Sequence, residues 1–293
     1  MATLTEETLA SDLHALGIAP GDLLILHSSY KSLGAPCSDG AATLLSALTS
    51  VLGEAGTLVL PCFTLPADTV NALTTPCCLG YIPETFRTLP GVLVSNNHTH
   101  RIAARGPLAQ RLVAAHQGTS PLGRGSPLHE AARLGAKVLM LGCSYTSCSL
   151  VHVAEALARL PFAGAQIACE GYDRAMTLVR TDGAAVQCPP LDSPGDPAAF
   201  GKVEAELQRC GLLRQGAVAA AQCSVARGND ILCAALDLLA GDPLALLCSR
   251  EQCSVCQRKR RFDLLVKVKK FVQKKMCAAG PAAGGGGSEG TKG

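Results

Sequence analysis

Three short apolar runs do most to limit what this chain can fold into: LLILH (23–27), GTLVLP (56–61) and AKVLMLG (136–142). None alternates apolar and polar residues, as a strand with one wet face would. A continuous apolar run of that length is the pattern of a strand covered on both sides, which calls for helices on both faces of a sheet. Helical periodicity lies between and beyond the runs: over about 5–17, with Thr5 as N-cap and Gly17 at the end, over 41–53 and 152–160, and again at 197–211 and 229–240. Pro61 is expected to stop the second strand. AMTLVRTDGAAVQC (175–188) predicts a hairpin that turns at Asp182-Gly183. Strands alternating with helices predict an α/β domain.

Such a core has to be built with few aromatic residues. Aromatics make up 3% of the 293 residues and there is no Trp, so Ala, Leu and Val must pack helix against sheet. Residues 62–135, rich in Pro, His, Gly and Ser, are poor in periodicity and are expected to form functional loops. The formal net charge of +3 is too small to imply a polyanion partner for the body, and most of the excess lies in the last fifty residues. Nucleic-acid binding by the core domain is therefore not expected. Fifteen cysteines, an odd number at irregular spacing, suit reduced thiols. The polar start MATLTEETLASDLH is unlike a secretory leader, and no apolar run approaches the ~20 residues of a membrane span. A cytoplasmic protein without a transmembrane segment is the expectation.

SLVHVAE (149–155) puts His152 and Glu155 one turn apart on the same face of an apolar helix. Such a pair is either a partly buried histidine held by a local carboxylate or a general base beside its acid. The stretch alone does not separate the two. His27, Ser28 and Ser29 stand where the first strand runs into a loop, and ligands of open α/β sheets bind at the carboxyl ends of strands. Before the Gly-rich end of the chain, neither a phosphate-binding G-x-x-x-x-G-K-[ST] loop nor G-x-G-x-x-G occurs. His98 and His100 alternate beside Arg101 and Arg105. H-x-H without a nearby carboxylate is a poor zinc signature, so no metal is expected and a ligand-contacting loop is.

The order of these segments resembles the aminoglycoside 3-N-acetyltransferase family. HSSYKSLG, GTLVLPCFT, IPETFRTLPGVLVS, THRIAARGP, PLGRGSPLHE, AKVLMLG and SLVHVAE follow one another in the family's order and near its spacings, and QGAVAAAQCSVARGNDIL (215–232) extends the likeness. It covers roughly residues 5–247. The resemblance implies a single compact mixed-sheet α/β domain over 1–247 with helices on both faces. It implies acetyl-CoA as co-substrate and acetyl transfer to the 3-amino group of an aminoglycoside or a related amine. His152 would take the amine proton, Glu155 would orient the imidazole, raise its basicity or draw in a cationic acceptor, and donors would stabilise the tetrahedral oxyanion. The likeness further implies a CoA-binding wall of His27, Ser28, Ser29, His100, Arg101 and Ser126, and an acceptor site with Asp173 and Asp192. Two stretches depart from the family pattern. Val94-Ser95-Asn96-Asn97-His98 replaces Arg-Ser-x-His-Pro, with Arg101 in place of a serine, and Cys188-Pro189-Pro190-Leu191-Asp192 lacks acidic residues that many members carry. Both changes predict weaker attraction for a polycationic acceptor, which Asp173, Asp192 and Asp196 would partly offset.

Residues 248–293 have no counterpart in this resemblance. Arg258-Lys259-Arg260-Arg261, the amphipathic DLLVKVKKFVQKKM and a Gly-rich end predict a basic, largely disordered tail. Cys248-x4-Cys253-x2-Cys256 supplies three ligands of a zinc knuckle, but the only later candidate for a fourth is the distant Cys277. A solvated basic tail is therefore the expectation. The alternative to an enzyme is a divergent CoA-binding or non-catalytic relative that acts as an interaction protein through this tail.

Overall fold

The computed structural model describes residues 3–116, 120–163, 167, 171–191 and 195–278. In its first half the elements are α1 (Glu6–Ala15), β1 (Leu23–Ser28), α2 (Gly40–Leu52), β2 (Thr57–Phe63), β3 (Thr69–Asn71), α3 (Tyr81–Arg87), β4 (Leu93–Val94) and β5 (His100–Arg105). There follow α4 (Ala109–Ala114), α5 (Pro127–Arg133), β6 (Lys137–Leu141), α6 (Ser149–Leu157), β7 (Met176–Val179) and β8 (Ala185–Cys188). The chain ends with α7 (Gly201–Arg209), β9 (Arg214–Val218), β10 (Ala221–Arg227), α8 (Gly228–Gly241) and α9 (Ser254–Ala278). The first helix starts where a capping residue should start it: the Thr5 side chain accepts from the Thr8 backbone N–H in a capping box.

Seven strands form a mixed sheet in the order β4-β5-β2-β1-β6-β10-β9. At its centre β1 runs parallel to β2 and to β6, while β5 and β10 pair antiparallel on either side. The uninterrupted apolar runs are thus the central strands, and their alternate residues serve two separate cores. Leu23, Ile25, Val59, Val138 and Met140 face α5, α6 and α8, packing with Leu128, Val151 and Ile231. Leu24, Leu26, Leu58, Leu60, Leu139 and Leu141 face α1, α2 and α3, packing with Leu9, Leu44 and Phe86. A strand buried on both faces needs apolar residues at every position, and this one has them. A small separate sheet, β3-β7-β8, contains the expected hairpin at Asp182-Gly183.

Three expectations need correction. Pro61 does not end its strand, which runs on to Phe63. Pairing of β2 with β1 stops at Val59, so Pro61 pairs only with Ile102 of β5, and a strand bonded on one side tolerates the missing N–H. The stretch 62–135 is not loop throughout: two helices after β5 and a strand each side of α3 lie in it. The body also does not stop at residue 247. Cys248 and Cys256 are 2% and 0% exposed and belong to the core beside α6 and α8. From α9, the Arg260 Nη2 donates to the carbonyls of Leu247 (2.8 Å) and Cys248 (3.1 Å), which folds the first turns of the helix back onto the domain. The Gly-rich end beyond Ala278 lies outside the described residues. Among the described residues no helix is long and apolar enough to cross a membrane.

Candidate active site

The early parting of β1 and β2 makes room at the carboxyl end of the sheet. Both strands continue beyond their last paired residues, Ile25 and Val59, and between the diverging ends lies a cleft of about 370 Å³. His27 and Ser28 of β1 and Pro61 and Phe63 of β2 line one side of it, and the segment Thr146–Ser149 lines the other. That segment is set by Gly142, whose φ of 63° turns the chain out of β6 where a Cβ would run into Ser32. The chain then enters α6, whose Leu150, Val151, Val153 and Ala154 are buried against the sheet and α8. Burying that face leaves His152 and Glu155 on the opposite one, toward the cleft. This is the consequence of the 3.6-residue period anticipated in SLVHVAE.

His152 Nδ1 lies 2.6 Å from Glu155 Oε2, and the two side chains are 12% and 11% exposed. Against a carboxylate, Nδ1 carries the proton and the neutral ring keeps its lone pair on Nε2. Phe200, just before α7, holds the imidazole edge-on, with centroids 4.7 Å apart and planes at 67°. Beyond His152 a second cleft of about 370 Å³ opens, bordered by Glu155, Phe162, Arg124 and Lys259. His152 and His100 line both clefts. They therefore stand where the two meet.

His100 opens β5 directly opposite Phe63 of β2, with the two rings 4.4 Å apart. Its Nδ1 lies 2.7 Å from Thr99 Oγ1. Burial pushes its pKa down to about 3, helped by the neighbouring His152, His116 and His98, so it is a neutral imidazole at any physiological pH. His27 is 6% exposed, and burial alone lowers it to about 4. Among the described residues its Nε2 has no hydrogen-bond partner, which leaves a buried polar atom behind the wall of the first cleft.

A family model for aminoglycoside 3-N-acetyltransferases matches residues 25–240. The chain belongs to that family. It is 32% identical over 243 residues to aminoglycoside N(3)-acetyltransferase IV of a Salmonella species, across 82% of this chain and 88% of that relative. The fold is similar to a crystal structure of the acetyltransferase AAC(3)-IVa in complex with a gentamicin, with TM-score 0.78 and 30% identity, covering 89% of this chain and 98% of the other. It is also similar to AAC-IIIb in a binary complex with CoASH, with TM-score 0.72 and 25% identity, over 82% of this chain and 97% of that one.

Within this family frame the expected site residues divide. His152, Glu155, His27, Ser28 and His100 gather at the clefts. Ser29 lies just past them, its N–H bonded to the Leu141 carbonyl and its own carbonyl accepting from Ser32 Oγ at 2.6 Å. Two of the expected residues are not brought to the clefts. Arg101 is fully buried, and its guanidinium donates to the carbonyls of Asn71, Ala72, Thr75 and Pro76, so it is committed to holding the 71–76 loop. Ser126 is also fully buried, at the start of α5, and lines neither cleft. Asp173 is exposed, its Oδ1 accepting from the Gly171 N–H at 3.1 Å. Asp192 lies outside the described residues. Asp196 is drawn away by Arg250, 3.2 Å from it.

Sequence reasoning missed Phe63, Phe200, Arg124 and Lys259. The rule that sites form at carboxyl ends of strands would have found Phe63, two residues past Pro61. Nothing local marks Lys259. It reaches the second cleft because α9 packs on the body, with its Nζ 5.4 Å from the centroid of Phe162.

Proposed function

We propose that the protein transfers the acetyl group of acetyl-CoA to a primary amine, the 3-amino group of an aminoglycoside or a related compound, with His152 as general base. The observation that carries this reading is the His152–Glu155 contact of 2.6 Å at the junction of two clefts. Glu155 fixes the tautomer and ring orientation, so that Nε2 is the atom left to accept the ammonium proton. The first cleft fits the thioester end of the co-substrate. Among the described residues its walls combine apolar side chains with the Ser28 hydroxyl and the His27 ring, and neither Lys nor Arg lines it. Those are partners for the amide-rich arm of CoA rather than for its phosphates. Acetyl-CoA, when bound, supplies an activated acyl carbon.

The second cleft takes the amine. Glu155 attracts it, and Phe162 offers an apolar wall. His100, held neutral, borders both clefts without adding a positive charge that would repel the ammonium form. Free thiols throughout the described residues fit a reducing compartment, and we place the protein in the cytoplasm.

The test is purified protein with acetyl-CoA and a panel of amines that includes a 2-deoxystreptamine antibiotic, reading thiol release and acetyl gain by mass spectrometry. Amine-dependent release of CoA is expected. Tight CoA binding with no acyl transfer to any amine would replace this reading with that of a non-catalytic CoA-binding relative.

A further inference from the structure

The segment joining the body to α9 brings three sulfurs together. Cys248 leaves the core, Cys253 follows after a short turn, and Cys256 lies in the first turn of α9; their Sγ atoms all lie within 4.8 Å of one another. Cys248 and Cys256 are buried, while Cys253 keeps partial access to solvent. In linear sequence the set lacks a fourth ligand. In the fold it is a convergent three-sulfur face with one side open.

From this convergence we propose that Cys248, Cys253 and Cys256 form a structural zinc site that fastens α9 to the domain, with an exogenous ligand such as water in the fourth position. Zn–S bonds of about 2.3 Å in a tetrahedron place sulfurs roughly 3.8 Å apart, so only a small contraction of the set is needed. The ligand type is right as well, because an all-thiolate set favours zinc or copper(I) over hard cations.

Two surrounding features support the same reading. The Asp196 backbone N–H points at Cys256 Sγ, 3.5 Å away, as amides do around metal-bound thiolates. Three thiolates on one zinc also carry a net negative charge. Of the cations in the same segment, Arg260 donates to the Cys248 carbonyl, while Arg250 is paired with Asp196. A zinc ion here would fix the start of α9, and with it the position of Lys259 at the second cleft.

The experiment uses the full chain, purified under reductant, stripped with a chelator and titrated with zinc against a chromophoric competitor. One zinc per chain is expected, together with a rise in melting temperature, and cobalt(II) in its place should give thiolate-to-metal charge-transfer absorption. Cys253→Ser, at the most exposed of the three positions, should weaken zinc binding by on the order of 100-fold. Cys210→Ser, at an exposed cysteine elsewhere, should leave it unchanged. Should Cys253→Ser fold poorly, zinc protection of the three wild-type thiols against alkylation, mapped by mass spectrometry, reads the same site. Substoichiometric zinc, binding indifferent to Cys253→Ser in a folded protein, thiols alkylated equally with and without zinc, or a disulfide among the three in anaerobically purified protein would overturn the proposal.

Discussion

At the scale of single residues, several imidazoles are buried in and around the site. Burial is the main reason that His27, His100 and His116 are pushed down to about 4, 3 and 4. In the unfolded chain those three titrate near their ordinary value of ~6.5. Above that pH both states are neutral and the groups cost nothing. As pH falls below it, the unfolded chain takes up protons that the native state refuses, and stability declines by on the order of 1.4 kcal/mol per pH unit for each group until its folded value is reached. The melting temperature should therefore fall steeply from pH 7 to pH 5, and His116→Gln should flatten that slope in differential scanning calorimetry. A melting temperature constant over that range would show that these rings accept protons in the fold. That His152 and Glu155 share a helix face was legible from helical spacing, whereas their role came only from the family resemblance. Arg101 was misread because the carbonyls that hold it come from residues 71–76, far back in the sequence and invisible to any local pattern.

At the scale of elements, legibility followed burial. Strands covered on both faces announced themselves as apolar runs, and α1, α2, α6 and α8 showed plain periodicity. The strand His100–Arg105 did not, because two arginines and a histidine interrupt six residues, although Ile102, Ala103 and Ala104 are all buried. The first turns of α9 were hidden for the opposite reason: their charge suggests solvent, yet Cys256, Lys259 and Asp263 are 0%, 5% and 2% exposed. A chain ended at residue 247 removes Cys248, Val255 and Cys256 from the core and strips the cover from Phe162. Losing those buried groups should cost roughly 3–5 kcal/mol and on the order of 10 °C in melting temperature. A chain ended at residue 270, which keeps the described contacts of α9 with the body, should melt close to the full protein. Equal melting of the 1–247 chain would mean that α9 adds nothing to the domain.

At the scale of the whole molecule, two clefts meet at His152 and His100, and they differ in charge. Among the described residues the first is lined by neutral groups, and the second sets one carboxylate, Glu155, against Arg124 and Lys259. Such a balance favours an acceptor with few positive charges, as the altered 188–192 stretch suggests. A simple monoamine should accordingly show a higher kcat/KM than a multiply charged aminoglycoside. Lys259→Gln should raise the value for the aminoglycoside several-fold at low salt and change that for the monoamine much less. An aminoglycoside that outruns monoamines in the unaltered protein would show that the cleft's charge does not govern choice. The role of His152 at that junction is read from His152→Ala, with acetyl transfer and CoA binding measured side by side. The rate should fall by on the order of 10²–10⁴-fold for whichever amine is accepted, while calorimetric CoA affinity stays within about twofold. Transfer at the unaltered rate in that variant would contradict the assignment of His152 as the base.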